Sequence, residues 1–525
     1  MIRVEHLKLP VFYDTEAVKS AVAKKIQVRK TDIKEIVILK EALDARKKPR
    51  LYRVVTAGVI LSVAEEPVLA KNRGKCAREV SFGHTPPAVN YRGAHPPLVV
   101  GAGPAGLFGA LTLAKAGLKP LIIEAGRESA ARKQDILAFC DNGVFLPQSN
   151  IQFGEGGAGM FSDGKLTTGT KDPRHREIIK TLIDCGAPRE IAYLAKPHIG
   201  SDYLPLVSAA LRQKIEALGG RFLFETRLIG IVTQKERLKA AVIEDGAGQR
   251  ELAADHLLLA CGHSARDTVS MLKESGVVMV KKPFSLGLRI EHLQRDINIA
   301  QYGEAWASLT ADYKLSAKLM NGRSVYTFCM CPGGYVVPAT SEPKAVVTNG
   351  MSQWQREGEN ANSAVLVSVR PEDFPGDDVL AGIALQRQIE SSAFQRGGNG
   401  YAAPAQRWED FLLNRATTAW GKVKPTYRPA AVMSNLNGLF PAFVTDSLKE
   451  GIPLLAEKLS GFADGDAVLT APETRSSAPY RIVRDETGES SIGGLYPAGE
   501  GPGYAGGIMS SAADGMKAAE KICAG

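Results

Sequence analysis

Apolar and polar residues alternate from Ile2 to Leu9, apolar residues recur at helical spacing from Thr15 to Lys25, and alternation returns over Ile33 to Ala42 and Leu51 to Val63. These runs predict a small α+β module. Residues 70–96 lose the periodicity and gather Pro, Gly and basic side chains, as a linker does, so residues 1–90 are assigned to module and linker. A different rhythm starts near Pro97: an apolar strand over 98–101, a helix over 104–117 and a strand over 120–124, a βαβ unit of about 30 residues. A helix from Ser129 to Cys140, a glycine-rich loop over 154–159, a helix from Tyr203 to Leu218, paired strands over 222–245 and a buried strand from His256 to Cys261 continue it. Strand-like runs such as Ser324 to Cys329 and Ala345 to Val347 then break the rhythm, which resumes as strand and helix after residue 455. The expected organisation is an α/β domain in two parts, 97–270 and 455–525, carrying an inserted mixed α+β domain over 271–450.

At 525 residues the chain is long enough for two or three domains. Many of its 53 glycines cluster in four short segments rather than repeating, a sign of backbone brought close to a ligand. The formal charge of +9 resides in residues 1–95, which hold 19 Lys and Arg against 10 Asp and Glu. A solvated basic face is the plain reading of that excess, and a docking face for RNA or a protein partner the sharper one. Seven cysteines without a CxxC pair or zinc spacing predict a reducing, cytoplasmic setting, with neither disulfides nor a metal site. The uncharged run LVVGAGPAGLFGALTLA over 98–114 is broken by Gly and Pro and falls short of the ~18 to 20 apolar residues of a membrane span, so no membrane partner is expected.

Within that run lies Gly101-Ala102-Gly103-Pro104-Ala105-Gly106, after an apolar strand and at the start of a helix, with an acid, Glu124, 23 residues beyond Gly101. Gly101 permits the tight turn, Gly103 lets backbone approach a pyrophosphate, and Gly106 lets helix pack on strand. The helix start offers unpaired N–H groups and a positive dipole end to the phosphates, and Glu124 an acceptor for ribose hydroxyls. This loop alone serves NAD and FAD equally. The C-terminal run Gly494-Leu495-Tyr496-Pro497-Ala498-Gly499-Glu500, followed by Gly506-Gly507-Ile508 at the start of a last helix, Met509 to Ile522, decides between them. It resembles the second FAD motif of glutathione-reductase-like flavoproteins, in which the acid binds the ribityl chain and the helix start faces the flavin. Leu257-Leu258-Leu259-Ala260-Cys261-Gly262 resembles their Ala-Thr-Gly strand, with Cys261 in the Thr position.

More specifically, the chain resembles bacterial FAD-dependent dehydrogenase-like proteins related to the HI0933-like flavoproteins. The likeness is carried by GEGGAGMFSDGKLTTGT (154–170), CGHSARDT (261–268), KPFSLGLRIEH (282–292), YTFCMCPGGYVVPA (326–339), TNGMSQWQREGENANSA (348–364), PETRSSAP (472–479) and GLYPAGEGPGYAGGI (494–508). It implies a Rossmann-like FAD-binding domain, with the insert as substrate domain and a ferredoxin-like N-terminal module that, lacking a cysteine cluster, holds no iron–sulfur centre. Cofactor contacts are assigned to Gly101, Gly103, Pro104, Ala105, Gly106, Glu124, Ala125, Gly156, Gly157, Asp163, Lys165, Leu166, Leu228, Cys261, Gly262, Gly499, Glu500, Gly506, Gly507 and Ile508.

For the chemistry, Gly154 to Gly159 is read as an anion-binding nest of amides, and the resemblance implies that Lys165 lies near the flavin, as a cation that stabilises its reduced form. Strand alternation puts Arg289 and Glu291 on one face; Arg289 could clamp a substrate carboxylate while Glu291 or His292 moves protons. Arg475 is a second candidate clamp. Cys329-Met330-Cys331 invites a redox reading, but a strand is expected to turn the two thiols apart, and they are read as buried apolar side chains, with a thiolate that reacts with flavin as the alternative. With no second glycine fingerprint, NAD(P)H enters only as a transient electron donor. The function expected is an FAD-dependent oxidoreductase passing hydride between flavin N5 and a small organic substrate. A flavin redox sensor that docks RNA or protein and a flavin monooxygenase are the alternatives, nucleic acid being disfavoured as a partner.

Overall fold

The computed structural model describes residues 1–79, 83–374 and 376–525. The N-terminal module folds as β1 (Ile2–Leu9), α1 (Thr15–Ile26), β2 (Ile33–Lys47), β3 (Arg50–Leu61), α2 (Glu65–Lys71) and β4 (Cys76–Arg78), its antiparallel sheet ordered β2-β3-β1-β4. Asp14 caps α1 by accepting from the Ala17 amide at 2.7 Å, and Val18, Val22 and Ile26 pack on Ile2, Val4, Val55 and Val59 of the sheet. α2 and β4 fall in the stretch expected as linker. α2 buries no residue and so shows no periodicity, while β4 is held by main-chain pairing with Ile2 to Val4. Residues 80–82 of that stretch lie outside the described residues. The module is docked through its backbone: the Glu41 amide donates to the Tyr193 carbonyl and the Ala195 amide to the Glu41 carbonyl, each at 2.8 Å, and Trp306 Nε1 donates to the Pro49 carbonyl at 2.7 Å.

The α/β domain then supplies β5 (Leu98–Val100), α3 (Pro104–Lys115), β6 (Leu121–Ile123), α4 (Ser129–Asn142), α5 (Arg174–Asp184), α6 (Leu204–Ala217), β7 (Arg221–Leu223), β8 (Arg227–Gln234), β9 (Arg237–Asp245), β10 (Gly248–Ala253), β11 (Leu257–Leu259), α7 (Arg266–Glu274) and β12 (Met279–Lys281). The second unit contains β13 (Phe284–Leu293), α8 (Gln294–Tyr302), β14 (Ser316–Lys318), β15 (Ser324–Cys331), β16 (Tyr335–Pro338), β17 (Thr348–Met351), β18 (Asn360–Val369), α9 (Ala381–Arg396), β19 (Ala403–Arg407), α10 (Trp408–Leu412), β20 (Ala431–Met433), α11 (Ala442–Ala456) and β21 (Val468–Glu473). The chain returns to the first with β22 (Tyr480–Ile482), β23 (Leu495–Pro497) and α12 (Ile508–Ala524).

Two sheets organise these elements. The first is parallel, ordered β23-β11-β5-β6-β7, with short, fully apolar strands at its centre as burial on both faces demands. The second has seven strands, β14-β15-β18-β13-β21-β19-β20. β21 lies in the stretch expected to rejoin the first domain, yet it pairs with β13 and β19 inside the second sheet; an apolar run cannot announce which sheet it will join. Ala345 to Val347 is buried but pairs with no strand, the Val346 amide donating to the Glu390 carbonyl of α9 at 3.1 Å. Among the described residues no helix is long and apolar enough to cross a membrane.

Candidate functional site

The first glycine loop turns where β5 ends. Gly101 takes φ +101°, and a Cβ there would lie 2.4 Å from the Ala260 carbonyl oxygen, so the turn beside β11 requires glycine. α3 begins behind Gly103 with no side-chain cap, leaving its first-turn amides and positive end to an anion. Glu124, at the end of β6, accepts from the Ala102 amide at 2.7 Å and from the Gly126 and Gly154 amides at 2.9 Å each. Three of its roughly four acceptor positions thus staple two loops together, and about one is left for a ribose hydroxyl. Beyond these strand ends opens a cavity of about 220 Å³ lined by Gly101, Ala125, Leu228 and Cys261, with Thr226, Ser264 and Arg266 opposite. Burial pushes the Cys261 thiol up to about 12, so Cys261 is a neutral wall of that cavity.

The second glycine loop is not the open nest expected of it. The Glu155 amide donates to the Arg127 carbonyl at 3.0 Å, Gly156 to Ala102 at 2.8 Å and Gly157 to Gly154 at 2.9 Å, so these amides are already spent. The loop is instead a wedge against the first one, with Gly157 at φ +61° facing Gly103. Arg132 on α4 holds it there. Fully buried, its guanidinium donates to the carbonyls of Asn150 (2.9 Å), Ile151 (2.9 Å), Glu155 (2.6 Å) and Gly154 (3.2 Å). Nothing in the sequence distinguishes this arginine from its solvated neighbours. Leu166, assigned to the cofactor, packs in the core of the α/β domain.

The C-terminal segment closes the cleft. Gly499 donates its amide at 2.8 Å to Asp514 of α12, itself paired with Arg484 at 2.8 Å. Glu500 is half-buried, and burial pushes its carboxyl up to about 7 against the pull of Lys282. α12 starts after Gly507 with no side-chain cap, and a Cβ on Gly262, Gly506 or Gly507 would meet nothing within 4 Å. Two uncapped helix starts, three glycines facing open space and an apolar cavity past the first loop fit an elongated dinucleotide with a flat ring at its far end.

At that far end the two sheets meet. Lys165 Nζ lies 2.9 Å from Asp163 and donates to the Met330 carbonyl of β15. Asp163 has no exposure and is held by Arg356 (2.8 and 3.1 Å) and Ser352; although burial opposes ionisation, Lys165 and Arg356 hold its carboxyl well below the usual range. Around Met330, β15 bulges: Phe328 pairs with Ala364 of β18, then Cys331 with Asn362, and Cys329 between them takes φ +45°. Arg289 of β13 donates to the Cys329 carbonyl at 3.1 and 3.2 Å and contacts Glu473 of β21 at 3.2 Å. Glu473 Oε2 lacks a hydrogen-bond partner, and burial pushes the carboxyl up to about 7 in spite of Arg289. Glu473 and Arg356 lie in blocks that carry the family likeness, yet the sequence assigned neither a role of its own.

Several expected roles change. Arg289 is fully buried and occupied by the bulge and Glu473, so it is a positioning group rather than a free clamp. Glu291 shares its face but is tied to Asn360 (3.1 Å) and the Thr426 hydroxyl (2.5 Å). His292 points to the other side, against the Phe462 carbonyl at 2.7 Å, and burial pushes its imidazole down to about 4. Arg475 is locked on Glu390 at 2.8 Å, a carboxylate it shares with Arg266 at 2.9 Å. Cys329 and Cys331 are not turned to opposite faces, since strand alternation puts positions two apart on one face, and the bulge between Phe328 and Cys331 folds Cys331 Sγ to 3.3 Å from the Cys329 carbonyl oxygen.

Family models match the chain in three places: an FAD binding domain at residues 97–203, an FAD-dependent protein, C-terminal domain-like region at 283–476, and a domain of unknown function at 1–60. A protein of Clostridium beijerinckii described as uncharacterized is 42% identical over 533 residues, covering 99% of this chain and 98% of its own. The chain belongs to one family with it, a family of FAD-dependent proteins. FAD is the cofactor. Among solved structures, a geranylgeranyl bacteriochlorophyll reductase-like protein of Thermoplasma acidophilum is 14% identical, with 81% of this chain and 78% of that one covered and a TM-score of 0.37. For a flavin-dependent brominase the values are 13%, 82%, 80% and 0.36. The family assignment rests on the models and the clostridial relative, not on these distant likenesses.

Proposed function

We propose that the protein transfers a hydride between a small organic substrate and the N5 position of FAD, in the space where the α/β domain meets the seven-stranded sheet. The observation that carries this reading is the junction itself: Lys165 from the cofactor segments, and Arg289 and Glu473 from the second sheet, converge around the β15 bulge. FAD supplies a two-electron acceptor and donor when bound. The uncapped start of α12 and the Lys165 ammonium favour negative charge on the flavin's pyrimidine edge. Glu473, buried and able to hold a proton near neutrality, is the proton donor or acceptor toward substrate, and Arg289 fixes its position.

The order β23-β11-β5-β6-β7, with Gly499-Glu500 leaving β23, supports kinship with the HI0933-like and glutathione-reductase-type flavoproteins. The βαββαβ succession of the N-terminal module with its β4-β1-β3-β2 sheet supports a ferredoxin-like description. Its free cysteines fit a reducing cytoplasm. Anaerobic mixing of the holoprotein with NAD(P)H and with panels of hydroxy acids, amines and enoates, read as bleaching of the flavin band, tests the reading. Bleaching by one donor class with stoichiometric product supports it; oxygen consumption with a hydroxylated product replaces it with a monooxygenase, and a flavin inert to every donor refutes it.

A further inference from the structure

The bulge at the end of β15 is an unusual place to spend backbone energy. Cys329 has φ +45° without being glycine, a conformation that costs on the order of 1–3 kcal/mol and persists only where surroundings impose it. They do so here through three successive carbonyls: Arg289 donates to Phe328 (3.4 Å) and Cys329 (3.1 Å), and Lys165 to Met330. The result is that Cys331 Sγ folds back to 3.3 Å from the Cys329 carbonyl oxygen and lies 3.9 Å from Arg289 Nη2, while Lys165 holds the Met330 carbonyl between the two cysteines.

We propose that Cys329 and Cys331 form a reversible dithiol–disulfide pair that exchanges two electrons with the bound FAD. The inference goes beyond hydride transfer to an organic substrate, and it rests on the flavin ring lying at the same junction. The chemistry of the pair is asymmetric. The neighbouring Cys331 thiol, then Lys165 and Arg289, pull the Cys329 thiol down despite its burial, while Cys331 is pushed up. Burial pushes the other five cysteines, Cys76, Cys140, Cys185, Cys261 and Cys523, upward. Cys329 is therefore the nucleophilic thiolate and Cys331 its partner. In the oxidative direction the Cys329 thiolate and the Cys331 thiol become one S–S bond, and the electron pair and the Cys331 proton pass to FAD. The reverse direction opens the disulfide with that electron pair and proton and returns oxidised FAD.

The test is an anaerobic dithionite titration of the purified holoprotein, with the tryptic peptide 324–344, which holds both cysteines, alkylated and weighed at each stage. The expected result is uptake of two electrons beyond those that reduce FAD, a peptide that is a disulfide at the start and doubly alkylated at the end, and loss of the extra uptake in Cys331→Ser. Since that variant alters a buried residue, the wild-type peptide masses stand as an independent readout. Both cysteines alkylated before any reductant is added after air oxidation, or a disulfide that survives full reduction of FAD, overturns the proposal. Either outcome leaves the hydride reading standing, which fails separately if the flavin accepts no electrons from any organic donor.

Discussion

Gly157 faces Gly103 across the two glycine loops so closely that a Cβ on Gly157 would fall 2.9 Å from the Gly103 Cα. Backbone there cannot yield, because the Gly156 amide is pinned to the Ala102 carbonyl at 2.8 Å. Gly157→Ala therefore adds a steric clash to a left-handed backbone cost of about 1 kcal/mol or more and displaces the pyrophosphate loop. The flavin-to-protein absorbance ratio of the purified variant should fall severalfold, while Gly169→Ala, where a Cβ meets nothing within 4 Å, should keep its FAD.

Arg132 is the support of that arrangement. Replacing it with Met leaves four buried carbonyls without their charged donor, at a cost of about 3 kcal/mol or more. Calorimetry of the holoprotein should show a lower unfolding temperature together with weaker FAD retention; Arg132→Lys, with one ammonium for four acceptors in a fork geometry, should recover little of either.

Glu473 makes a signed statement about pH. Burial raises its carboxyl from 4.5 to about 7, so the folded state binds a proton more tightly than the unfolded one. Its contribution is present below about 4.5 and is lost as pH rises toward about 7. The stability difference between wild type and Glu473→Gln, measured by denaturant unfolding, should move against the wild type across that window and be flat below it. The comparison cancels the buried histidines, whose lowered values give the opposite slope.

His292 and Arg475 should behave as structural residues. His292→Leu forfeits the bond to the Phe462 carbonyl and should lower stability by about 1–3 kcal/mol without moving the flavin spectrum. Arg475→Met leaves Glu390 buried with only Arg266 fully engaged, a loss of about 3 kcal/mol or more, read in thermal unfolding.

The cofactor loops were legible because their signals are local: Gly101 to Gly106 follows a strand and precedes a helix within a few residues, and Gly499-Glu500 does the same at the other end. The junction was not, because it is made by pairings between distant segments. Arg289 meets Glu473 only because β13 pairs with β21, and Cys331 Sγ folds back to the Cys329 carbonyl only because β15 bulges there. Arg132 and Glu390 carried no pattern at all; each is explained by what it holds, which becomes visible only once the chain has folded around it.

The central claim, that the flavin ring lies where Lys165 reaches β15, is tested most directly by the two-electron reduction potential of bound FAD in wild type and in Lys165→Met. Removing the ammonium and leaving Asp163 to Arg356 destabilises negative charge on the reduced ring, so the potential should drop by about 30 mV or more, equivalent to about 1.4 kcal/mol. A variant that folds, binds FAD and keeps the wild-type potential would contradict it.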